Sequence, residues 1–365
     1  MIIRKENLFN ITSIFLIFIA SMVTALPGGV TKFTLLSLTL LNISYIKISK
    51  TKVISILALI SFLLIRILFT GVAHFEQSMI VLCILFIWFL SLPINASYFN
   101  SIIKPAIFLL FLLGFIASIF TAFFGIGNFA SSMLPKGLPY VFAFKGTTST
   151  PQTYGTIGIL SYLCITLFST NSNTKKLKQR FTLVLANFAL NRVTLIETIL
   201  LICRKHMILF FMMLIVVGIV ASLFSDNVLF TISTLQSRID LTRGIWEQYL
   251  NSQSSNILFG NFKQPDVFYS TSYMDINYIE NGYMFLLYYF GILGTACYLA
   301  FFTLFLIVLP IAKKIQVNKA IFYVAIIYFL FVPLLTHEFL SISYYLMLYL
   351  VLYVYKSQYQ DQINP

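Results

Sequence analysis

Apolar runs long enough to cross a bilayer recur from one end of this 365-residue chain to the other. A hydrocarbon core about 30 Å thick is crossed by ~20 apolar residues of helix. Inside it every backbone polar group must be satisfied by the spanning structure itself, which leaves helices as the solution for runs of this kind. Such windows fall near 8–26, 33–46, 53–70, 76–93, 102–124, 152–170, 207–224, 281–311, 320–336 and 338–355. With 59% of residues hydrophobic and 10% charged, the expected fold is an all-α polytopic integral membrane protein. It would hold about 10–12 transmembrane helices, counting one short-helix hairpin, as a single membrane domain over residues 1–365. Arg4 and Lys5 precede the first run, but no A-x-A site follows it, so a retained first helix is expected rather than a signal peptide.

The charges set the orientation. Lys47, Lys50 and Lys52, then Lys175, Lys176, Lys178 and Arg180, then Arg204 and Lys205, then Lys313, Lys314 and Lys319 sit in loops that the positive-inside rule makes cytoplasmic. Both termini fall on the same side. Residues 181–203 must then leave the cytoplasmic face and return, yet at ~1.5 Å per residue they supply about 34 Å of helix, one crossing and not two. A hairpin of two short helices turning near 187–192 resolves this, with neighbouring helices shielding its backbone. A single crossing would instead place the long loop 225–278 in the cytoplasm and reverse the charge bias on one side of it.

Several chemistries are disfavoured. The net charge of +13 does not imply nucleic acid, because the basic residues are dispersed among short loops. Cys83, Cys164, Cys203 and Cys297 lie inside apolar runs without a CxxC pair, arguing against disulfides and thiolate metal sites. No D-x-D occurs and His74, His206 and His337 are scattered, so no metal or other cofactor is expected.

The polar excursion 225–278, extracytoplasmic in this topology, is where chemistry is expected. Within it Leu235, Ile239, Thr242, Trp246 and Tyr249/Leu250 follow a helical period, and Ser233 with Gln236 offers a capping box. The polar side of that amphipathic surface helix carries Arg238 and Arg243, whose planar forks suit phosphate oxygens. The ordinary alternative for Arg243 is an i,i+4 pair with Glu247. Arg192, at the outer start of the second hairpin helix, is a site candidate because arginine near membrane depth is expensive. Its structural alternative is a pair with Glu197, at an unfavourable spacing of five. Arg66 raises the same question, with snorkelling as its rival reading. In KGTTSTPQTYG, Thr150 can cap and Pro151 can start a helix beside Lys145, an arrangement favourable to an anion. Glu280 and Asn281 stand at the mouth of the apolar run 281–311, a length that requires tilt or projection beyond the core.

These elements, G-T-T-S-T-P-Q-T-Y-G, then N-R-V-T-L, R-G-I-W, L-F-G and E-N-G-Y-M-F-L-L-Y-Y-F-G-I-L-G, resemble in order the bacterial O-antigen polymerase and ligase superfamily over roughly residues 140–310. The resemblance implies a GT-C-like fold in the bacterial inner membrane and a metal-independent glycosyltransferase of surface polysaccharide (lipopolysaccharide) biosynthesis. It implies undecaprenyl-diphosphate-linked oligosaccharide as donor and acceptor, and a chain-length regulator as partner. It points to catalytic roles for Arg192, Arg243 and Glu280, with Arg238 and Asn281 as substrate contacts, beside which Lys145 and Arg66 stand as the further substrate-binding candidates read from the residues themselves. Ligases of the family carry His-Asn where this chain has Glu280-Asn281, so the match is closer to polymerases of the Wzy type. Arg243 lies three residues before Trp246 instead of the family's four, leaving Arg238 as its competitor. A ligase and a lipid-linked oligosaccharide flippase are the alternatives. A flippase should show internal repeats and central charges, and this sequence shows neither.

Overall fold

A computed structural model describes residues 5–22, 98–134, 138–169, 172–203, 232–261, 269–270, 275–276, 279, 281–312, 317–334, 336, 338–339 and 341–363, with isolated positions between 30 and 68 and at 212 and 216. The runs expected at 33–46, 53–70, 76–93 and 207–224 lie almost wholly outside these residues. Of what is described, 81% is helical. Two helices, Phe99–Phe124 and Gly282–Ala312, are long and apolar enough to cross a membrane, and Asn10–Ser21 and Lys319–Leu334 are shorter apolar helices.

In chain order the helices are α1 (Lys5–Ser21), α2 (Lys104–Phe124), α3 (Pro151–Phe168), α4 (Ser172–Asn187), α5 (Arg192–Cys203), α6 (Ile232–Leu250), α7 (Ser254–Phe259), α8 (Gly282–Thr303), α9 (Lys319–Ile326) and α10 (Ile342–Ile363). Strands β1 (Ala130–Ser132) and β2 (Phe142–Phe144) pair antiparallel between α2 and α3, with Ala130 opposite Phe144. Two-residue strands Tyr269–Ser270 and Asp275–Ile276 pair in the 225–278 region.

Local chemistry sets the helix ends. Gly125, left-handed at φ 66°, closes α2 with its N–H on the Phe120 and Thr121 carbonyls. Thr150 is extended and its side chain accepts from the Thr153 N–H at 3.2 Å, with Pro151 as first residue of α3. Small residues let the next helices close in. A Cβ on Gly158 would press on Ala186 of α4, and Gln179 Nε2 donates to Thr166 Oγ1 at 2.9 Å. These contacts run α4 antiparallel along α3.

Residues 188–191 turn α4 into α5, a helical hairpin over 172–203. At ~1.5 Å per residue α4 and α5 measure about 24 and 18 Å, each short of a 30 Å core. The first arm begins earlier than expected, at Ser172, so Lys175 to Arg180 ride on a helix and not in a loop. Lys175 Nζ reaches back to the Ser169 carbonyl at 3.1 Å, which anchors that extension.

The apolar core joins α2, α3, α9 and α10, with Phe99 stacked on Tyr353 at 4.3 Å and Phe302 of α8 on Phe329 at 4.6 Å. A second cluster docks α6 on the start of α8 through Leu241, Ile245 and Tyr249 against Phe285, Leu286, Tyr288 and Tyr289. Of the stripe read from the sequence Tyr249 is buried, while Trp246 is 40% exposed and Leu250 51%; the aromatic start of α8 covers the neighbouring Leu241 and Ile245. Helix α6 also begins at Ile232, one residue before the expected Ser233 cap.

Gly282–Ala312 is not one tilted rod. Gly291 adopts φ 65°, ψ −170°, a break inside the helix. The Leu258–Gly260 backbone passes so close that a Cβ on Gly291 would overlap the Leu258 carbonyl and lie 2.6 Å from the Gly260 amide. Gly260, itself at φ 89°, would strike the Tyr289 backbone with any side chain of its own. The roughly 20 residues beyond the break, about 30 Å of helix, match one core thickness, and the excess length lies before Gly291.

Candidate functional site

Hydrogen bonds far apart in sequence tie several helix ends together. The Phe144 amide donates to the Phe188 carbonyl at 2.9 Å, joining the β2 end to the α4–α5 turn. Thr153 in the first turn of α3 donates to Glu338 Oε1 at 3.4 Å. Asn281 Nδ2 donates to the Leu334 carbonyl at 2.8 Å. The N-termini of α3, α5, α8 and α10 thereby share one end of the fold, where their amides and dipoles favour negative charge.

Arg192 is the first residue of α5 and is exposed. The Asn191 side chain accepts from the Val193 N–H at 2.8 Å and so caps that turn. The pair with Glu197 does not form: Glu197 is fully buried, and neither of its oxygens has a hydrogen-bond partner. Arg243 forms the ordinary pair, its Nε donating to Glu247 Oε1 at 3.0 Å with both side chains well exposed. Such a pair contributes about 0.3–0.5 kcal/mol. Lys145 is buried in the loop before α3, and desolvation pulls its pKa below the usual lysine range. Asn281 caps α8, its Oδ1 accepting from the Met284 N–H at 3.0 Å, so both ends of its amide are held by backbone. Glu280, Arg66 and the side chain of Arg238 lie outside the described residues.

Sequence reading passed over the polar centre behind these ends. Glu338, on the connection between α9 and α10, is buried and accepts from Tyr328 at 2.6 Å, Ser343 at 3.0 Å and Thr153. Burial raises its carboxyl above the usual range, and those hydrogen bonds oppose the rise. The start of α10 at Ile342, later than the expected 338, is what leaves Glu338 on the connection. The missed signal was available: Glu197 and Glu338 each interrupt an apolar run, and ionisable residues so placed are site candidates by default.

Tyr328→Phe removes the shorter of the two donors to Glu338 Oε2. The variant should unfold with a stability lower by ~1–3 kcal/mol, the worth of a buried hydrogen bond to a carboxyl oxygen that Ser343 alone then serves. Thermal unfolding in detergent measures it, and an unchanged midpoint would mean that Glu338 does not depend on this hydroxyl.

Comparison with protein-family models and with curated proteins finds no match to this chain.

Proposed function

We propose that the chain is a polysaccharide polymerase of a bacterial inner membrane, multi-pass with both termini cytoplasmic. It would transfer a glycan from one undecaprenyl-diphosphate-linked oligosaccharide to the terminal sugar of another on the extracytoplasmic face. The observation that carries this reading is the gathering of helix N-termini at one end of the fold, with Arg192 exposed on one and Lys145 beside another. That arrangement suits a diphosphate.

In the proposed reaction an acceptor hydroxyl oxygen attacks the anomeric carbon of the donor glycan, and the bond from that carbon to the phosphate oxygen breaks. Undecaprenyl diphosphate leaves with the electron pair, its charge compensated by Arg192 and by Arg243 or Arg238. Glu280 takes the hydroxyl proton. Release of Arg243 from Glu247 on substrate binding costs little, since exposed pairs are weak.

A deletion strain tests the reading. It should carry single repeat units on its surface glycolipid in place of long chains. Loss of all repeat units, including single ones, would instead indicate a ligase or a flippase.

A further inference from the structure

Behind the helix ends lies a set of oxygen atoms without partners. Glu197 of α5 is fully buried, and neither carboxylate oxygen has a hydrogen bond. Thr194 Oγ1, one turn earlier on the same helix face, has none, and it sits so tightly on α3 that a Cβ on Gly155 would overlap it. On α3 itself Thr156 Oγ1 is fully buried and unpartnered, one turn after Gln152, whose side chain faces Glu338. Glu197 lies within electrostatic reach of Glu338 and of Tyr328, which bonds Glu338. No described lysine or arginine pairs with either carboxylate.

We propose that this interior between α3, α5 and Glu338 binds a small hard monovalent cation of the Na⁺ class, with Glu197, Thr194 and Thr156 as its oxygen donors. Three alternatives explain less. A proton on Glu197 would remove its charge but add an O–H that itself needs an acceptor, and would leave both threonine hydroxyls unpartnered. A water could bond some of these atoms but would not compensate a buried charge. A divalent ion wants more than one free carboxylate, and Glu338 already spreads its charge over three hydroxyl donors. One formal negative charge among neutral oxygens is the donor set that a monovalent hard ion matches.

The test uses the full chain in detergent, with thermal unfolding followed in NaCl, KCl, CaCl₂ and choline chloride at constant ionic strength. Na⁺ should raise the melting temperature saturably, by about 3–6 °C over choline. Glu197→Gln should abolish that response while melting in choline at or above the wild-type value, because it removes an uncompensated buried charge. Equal melting of the wild type in all four salts overturns the site. So does a response to Ca²⁺ alone, or a Na⁺ response that survives Glu197→Gln. Should the variant fail to accumulate, equilibrium binding of radioactive Na⁺ to the wild-type chain decides the matter: about one ion per chain supports the proposal and none refutes it. Neither result depends on whether the chain polymerises glycans.

Discussion

On the proposed function, Arg192→Lys is expected to reach normal abundance and to make no long-chain glycan. The side chain is exposed at the first turn of α5, and the turn is held by Asn191, so the fold does not need the guanidinium. Chemistry would. A lysine keeps the charge but concentrates it on a flexible stem, and cannot bind two phosphate oxygens in the plane that arginine presents. Losing one such electrostatic contact to a leaving group slows a reaction by about 10²–10³-fold, enough to erase the long-chain ladder on a gel while single repeat units persist. A wild-type ladder from Arg192→Lys would remove the bidentate contact from the mechanism.

The largest loss of stability is expected from Gly291→Ala. Its backbone, φ 65° and ψ −170°, lies in a region open almost only to glycine, at a cost of order 1–3 kcal/mol for other residues. The new methyl would also overlap the Leu258 carbonyl. Backbone on both sides cannot yield as a flexible side chain would, so the total should exceed ~3 kcal/mol. Gly125→Ala is the control. At φ 66°, ψ 15° it is left-handed helical, with nothing within 4 Å of the added atom, so it reports the milder cost of that region without a clash, about 1 kcal/mol. Melting temperatures of the two variants in detergent compare them. Equal losses would show that the crossing of α8 by the 258–260 backbone can relax.

What the sequence displays and what it conceals divide along the range of the interactions. The start of α3 is local: Thr150 and Pro151 sit within three residues of the amide they serve, and that cap is legible as a pattern. The turn between α4 and α5 follows from length and charge parity, both properties of the chain alone. The break at Gly291 depends on a segment some thirty residues earlier, and the sequence around it reads as unbroken apolar helix. The covered face of α6 is hidden from the sequence for a related reason. Periodicity shows that one face is apolar, but whether Leu241 or Trp246 is covered depends on what α8 brings to it. Glu338 is the extreme case, its donors being Thr153, Tyr328 and Ser343. No window of sequence holds all four.

The bond from Thr153 to Glu338 spans 185 residues, which gives the two ends of the molecule different histories during synthesis. At ~5–20 residues per second, roughly 10–40 s separate the emergence of α3 from that of its carboxylate partner. Through that interval the Thr153 and Gln152 side chains have no Glu338 to meet, and the first turn of α3 has only its local cap from Thr150. Closure of this end of the molecule is therefore among the last events of assembly. A chain truncated before residue 338 would carry its early helices without the carboxylate that closes this end.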